Sequence, residues 1–121
     1  MKKHLLAFTI IFATAFINLP VYAGFDEGVV AIEKGDYATA LKEFKPLAEK
    51  GLASAQSNLG VMYVEGQGVT QDYVQAHKWF NLAGANGEKD AVEARDLIEK
   101  RMNKSQIEKA QALASAWRPK K

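Results

Sequence analysis

From residue 25 onward, apolar side chains recur at steps of three and four. Tyr37, Ala40, Leu41, Phe44, Leu47 and Ala48 form one broad stripe. Leu52, Ala55, Leu59 and Met62 form a second, and Tyr73, Ala76, Phe80 and Ala83 a third. A fourth runs through Ile107, Ala110, Leu113, Ala114 and Trp117. Residues three and four apart share one side of an α-helix, so each stripe predicts a helix with one buried face. Six helices follow, at about 25–34, 37–49, 52–65, 72–85, 88–101 and 105–117, and no segment reads as a strand. Asp36, and either Thr70 or Asp72, are placed to accept the free backbone N–H groups at helix starts. Ser105 and Glu108 have the spacing of a capping box. Gly51 and Gly87 suit the left-handed backbone that ends a helix. Pro46 lies within the second helix, where its missing N–H predicts a kink near Lys42. The short links make neighbouring helices antiparallel, so the fold class is all-α, a stack of helical hairpins.

The pattern repeats. A shift of 36 residues superposes Asp36 on Asp72, Tyr37 on Tyr73, Ala40 on Ala76, Phe44 on Phe80 and Gly51 on Gly87. Upstream of Asp36 a shift of 32 serves better, placing Gly28-Val29-Val30 on Gly60-Val61-Met62. The second unit therefore carries four extra residues in its loop, around Gly66 to Gln71. A period in this range marks stacked helical units. Within them Gly60, Ala76 and Ala83 permit close helix approach, and Tyr63, Tyr73 and Phe80 fill the space beside them.

The order Leu59-Gly60, Tyr63, Gly66, Gly68, Asp72, Ala76, Trp79, Phe80, Ala83 and Gly87 closely resembles the Sel-like repeat, a relative of the tetratricopeptide repeat. The resemblance extends over about 25–101 with falling quality. It divides the chain into repeats at about 25–51 and 52–87, a half repeat at 88–101 and a capping helix at 105–117. Gly84 departs from the pattern, which usually has alanine there, and Arg95-Asp96 stands where Leu-Gly is expected. The resemblance implies a short right-handed solenoid that binds a protein or peptide on its concave face. That face would carry Val29 and Ile32 from the first unit, Ser57, Val61 and Val64 from the second, and Glu93, Leu97 and Lys100 from the third. It would be apolar in the middle and charged at one end.

The first 23 residues read as a secretory signal. Lys2 and Lys3 form a basic start, Leu5 to Ile17 is an uncharged and mostly apolar run, and Val21-Tyr22-Ala23 offers a cleavage site. That run is shorter than the roughly 20 residues of a membrane span. The expectation is an exported protein, periplasmic or secreted, whose mature domain is 24–121 and is no longer attached to the membrane. The full chain has 16 Lys and Arg against 14 Asp and Glu. Both surplus lysines lie in the signal, so the mature part is formally neutral and its charge gives no argument for nucleic-acid binding. With no cysteine, the domain is held by apolar packing without disulfides.

Catalysis requires convergent groups, and none converge in the sequence. His77 is the only histidine after the signal, and it reads as a surface or packing residue. Ser54, Ser57, Ser105 and Ser115 lack a nucleophile motif. Gly66-Gln67-Gly68 lacks the Lys-Ser/Thr and the preceding strand of a phosphate loop. Glu99-Lys100 and Glu108-Lys109 read as a solvated face. Trp79 and Trp117 fit helix packing better than exposed anchoring. No cofactor, metal ligand or catalytic residue is assigned. The leading reading is a non-enzymatic module that binds another envelope or secreted protein. A cell-wall-active enzyme using dispersed carboxylates, and a structural piece that self-associates through its repeat ends, are the alternatives.

Overall fold

The computed structural model describes residues 23–121. Six helices follow one another: α1 Phe25–Lys34, α2 Tyr37–Glu49, α3 Ala53–Glu65, α4 Tyr73–Ala85, α5 Lys89–Glu99 and α6 Lys104–Ala116. Among the described residues there is no strand. The architecture is an all-helical repeat solenoid. The signal segment falls almost wholly outside the described residues.

The helix starts obey the repeat. The Asp36 carboxylate accepts the Thr39 N–H at 3.2 Å, and the Asp72 carboxylate accepts the Gln75 N–H at 3.1 Å. The second cap is therefore Asp72 rather than Thr70. Helix ends repeat too. At the close of α2, Gly51 N–H donates to Ala48 O and Leu52 N–H to Leu47 O, both at 3.0 Å. At the close of α4, Gly87 and Glu88 make the same pair of bonds to Gly84 and Ala83. Both glycines have φ near +104°, a backbone that a side chain would strain.

One expectation is corrected. The capping box of α6 is Asn103 with Gln106, not Ser105 with Glu108. Gln106 N–H donates to Asn103 Oδ1 at 2.8 Å, and Asn103 N–H donates to Gln106 Oε1 at 2.9 Å. Asn caps at least as well as Ser, so the helix gains residues at its start by beginning there. As expected, Pro46 lies inside α2, which continues to Glu49. Its missing N–H forgoes one intrahelical bond, to Lys42 O, while the turn that follows is closed by Lys50 N–H donating to Pro46 O at 3.1 Å.

Packing follows the small-against-large rule inferred from the sequence. A Cβ on Gly28 would come within 2.7 Å of the Phe44 ring, and one on Gly60 within 2.6 Å of the Phe80 ring. Each of the first two helix pairs is thus clasped by a phenylalanine seated on a glycine. Gly84, the departure from the repeat pattern, has the same cause. A Cβ there would come within 2.6 Å of Val92 Cγ2, so the missing methyl makes room for α5.

Helix α4 is the centre of the stack, packing on α3, α5 and α6. Ala76, His77, Trp79, Phe80, Leu82 and Ala83 are all buried in it. One core lies between the first two helix pairs and includes Phe44, Leu47, Leu59, Met62 and Trp79, with Ala114 from α6. A second joins Ala76, Phe80 and Ala83 to Ala91 and Ile98 of α5. Complete burial of a ring such as Phe80 is worth roughly 2–3 kcal/mol. The chain closes on itself at its end. Trp117 meets Trp79 edge to face at a centroid distance of 6.5 Å, and Lys120 N–H donates to Glu49 O at 2.8 Å.

Candidate protein-binding groove

The site is built between the carboxyl ends of α3 and α5 and the start of α4. It is lined by Val64, Tyr73, Leu97 and Ile98, together with Glu65, Gln71, Lys100 and Arg101. The space is an open groove of about 500 Å³. The loop after α3 is fastened over one side: Gln71 Nε2 donates to Val64 O at 2.8 Å, and Asp72 N–H donates to Tyr63 O at 3.0 Å. Gly68 turns this loop back onto the first repeat, where a Cβ would come within 2.8 Å of Tyr37 O.

Of the residues expected on the concave face, Val64, Leu97 and Lys100 come together in this groove. Leu97 is 62% exposed and Val61 44% exposed, at positions 36 residues apart in the repeat. Glu93 is exposed and Ser57 half-buried, neither of them in the groove lining. Val29 and Ile32 are half-buried against the first core, which leaves the first unit little apolar surface on this side. Tyr73, Gln71, Glu65, Ile98 and Arg101 were not anticipated. Glu65 and Arg101 each follow an expected lining residue by one position, and Gln71 lies in the four-residue insertion, so that loop was the available signal.

Chemically, the groove presents three aliphatic side chains and a phenol ring beside two cations and one carboxylate. Lys100 and Arg101 are exposed and form no ion pair among the described residues. Nearby, burial raises the Tyr63 hydroxyl above its ordinary pKa, with Asp72 and Glu49 adding to the effect. On the other side of α4, burial lowers the Lys78 pKa, and its ammonium lies 4.2 Å above the Trp79 ring. No group of three or more potential metal-ligating side chains occurs among the described residues.

The solvated face assigned to Glu99 is corrected. His77 is 1% exposed and its Nε2 lies 2.7 Å from Glu99 Oε2, so Glu99 is held at the junction of α4 and α5. His77 Nδ1 has no hydrogen-bonding partner among the described residues. Gln56 is a buried polar residue that sequence reading passed over. Its Nε2 donates to Ala48 O at 3.1 Å and its Oε1 accepts from Asn86 Nδ2 at 3.3 Å.

Comparison with known proteins accords with this architecture. Residues 53–88 match the Sel1 repeat. The chain is 36% identical over 83 residues to the secretory immunoglobulin A-binding protein EsiB of Escherichia coli, a match that covers 69% of this chain and 14% of that protein. The crystal structure of a protective antigen of uropathogenic Escherichia coli, displaying an SLR fold, superposes with a TM-score of 0.74 at 33% identity. That superposition covers 88% of this chain and 24% of the antigen. The chain thus spans only a small part of the length of either relative. With its glycine–phenylalanine clasps in repeat register, the chain carries a Sel1 repeat at residues 53–88 within a helical stack of the SLR type.

Proposed function

We propose that this protein is exported and acts as a non-enzymatic module that binds another envelope or secreted protein through the groove between α3 and α5. Sel1 repeat proteins are generally protein–protein interaction modules. The observation that carries the assignment is the exposure of Leu97, a large aliphatic residue left 62% open beside Val64 in a groove with unpaired cations. Exposed apolar surface framed by polar residues marks interaction sites. An open groove of this kind, apolar at its centre and bordered by helix ends, is of the type that takes a peptide or a single helix. That one relative binds secretory immunoglobulin A and another is a protective antigen is in keeping with work outside the cytoplasm.

A photo-crosslinking residue placed at position 97 tests the assignment in intact cells, with the same residue at exposed position 108 as control. Position 97 is expected to give a discrete protein adduct that position 108 does not. A folded protein giving no adduct at 97, or the same adducts at both, removes the groove from consideration. Mass spectrometry of the exported form tests the signal reading, which requires a mature amino terminus at Gly24.

A further inference from the structure

We propose that the outer face of α1, at the amino-terminal end of the stack, is a second docking surface, whose occupant is a basic amphipathic helix from another protein. The argument begins with three positions in repeat register. Val30, Met62 and Ile98 occupy the same place in α1, α3 and α5. Met62 is fully buried in the core shared with the first helix pair, and Ile98 is 8% exposed in the core shared with the second. Val30 is 44% exposed. In the second and third units this position is covered by the pair before it, through the contacts of α2 with α3 and of α4 with α5. Nothing among the described residues covers it in the first unit. Among the described residues, the position that α2 takes beside α3 and α4 takes beside α5 has no counterpart before α1.

Its chemistry differs from that of the internal interfaces. The repeat equivalent of buried Leu59 is Glu27, which is exposed. The surface around Val30 is a shallow pocket of about 300 Å³ bordered by Asp26, Glu27, Lys34, Asp36 and Thr39. Three carboxylates therefore surround an apolar centre against one ammonium. None of the three forms an ion pair among the described residues. A helix with an aliphatic side chain for Val30 and Lys or Arg on its flanks complements this surface. A second copy fits poorly. Its own amino-terminal face repeats the same acids, and α6 at its other end carries no exposed large hydrophobic residue. This surface is separate from the groove at Leu97 and does not depend on it.

The test uses the purified protein, labelled with nitrogen-15, and two helical peptides of about 14 residues, or four turns. Both carry the same leucine stripe. One has Lys at its polar positions and the other Glu. The Lys peptide is expected to bind, with amide shifts centred on Val30 and Thr39, and the Glu peptide to bind at least about tenfold more weakly. Val30→Glu should weaken the Lys peptide by a similar factor. So should Asp26→Lys combined with Glu27→Lys, which carries the test if Val30→Glu disturbs the fold. Equal binding of the two peptides overturns the proposal, as do shifts centred on Leu97. A concentration-dependent doubling of mass by light scattering, abolished by Val30→Glu, overturns it in favour of a second copy.

Discussion

The Phe80 ring rests directly on Gly60: a Cβ there would come within 2.6 Å of it, and Phe80 is 2% exposed, so the ring has no free space to move into. The same pair recurs 32 and 36 residues earlier as Gly28 and Phe44. In an open helix, Gly→Ala gains about 1 kcal/mol of propensity. Overpacking of a tight contact costs about 1–3 kcal/mol. Gly60→Ala is therefore expected to lose stability despite the better helix former, by about 1 kcal/mol net. Adding Phe80→Leu should recover the propensity gain, leaving the double variant less impaired than the two losses combined. Urea denaturation of the four species measures this, and simple additivity would refute the clasp.

Gln56 and Asn86 join the ends of two helix pairs. The Gln56 amide is wholly buried and bonds to both Ala48 O and Asn86. Gln56→Ala removes a packed side chain and leaves those groups without it, at about 2–3 kcal/mol. Asn86→Ala should cost less, about 1 kcal/mol, because Asn86 is exposed. A double-mutant cycle is expected to show coupling of at least about 0.5 kcal/mol. Zero coupling would mean the bond is not formed in solution.

The pairing of His77 with Glu99 ties α4 to the last residue of α5. An ionised carboxylate only accepts, so the imidazole carries its proton on Nε2 and donates it. Nitrogen-15 chemical shifts of the ring are expected to report a proton on Nε2. Glu99→Ala leaves a buried donor unpaired and should cost about 1–2 kcal/mol, while Glu99→Gln keeps an acceptor and should cost less. Equal losses for the two variants would show that the side chain acts by packing alone.

Asp36 caps α2, and its bonds to Thr39 lower its pKa below the usual aspartate value. The sign follows from that direction. A carboxyl depressed in the folded state adds stability above its unfolded pKa, about 3.9, and loses it as pH falls through the folded value. Wild-type stability should therefore decline below about pH 4, partly through this group. Asp36→Asn can still cap but does not titrate, so its stability curve should be flatter in that range. Parallel acid limbs for the two proteins would assign the decline to other carboxylates.

Helix boundaries, caps and turning glycines were legible because each rests on a few adjacent residues. Asp36, Asp72, Gly51 and Gly87 announce themselves by type and spacing. Asn103 was overlooked because two cap signals stand two residues apart and the later one also fits. Glu99 was misread for a different reason. Its neighbour Lys100 suggested solvent, and nothing local indicates that His77, 22 residues away, sits beneath it. The groove was half legible: Val64, Leu97 and Lys100 follow from the repeat, whereas Tyr73 and Gln71 enter it through the inserted loop.

The amino-acid order alone determined that this chain forms paired helices and, to within one or two residues, where each begins and ends. Those properties depend on local backbone preference and on a 3.6-residue period, both of which act within one or two turns. Only the tertiary structure decided that α6 packs on α4, that Trp117 reaches Trp79, and that Val30 stays open where Met62 is covered. Such outcomes depend on how far one helix slides and tilts along another, and an apolar stripe has the same appearance in sequence whichever neighbour covers it.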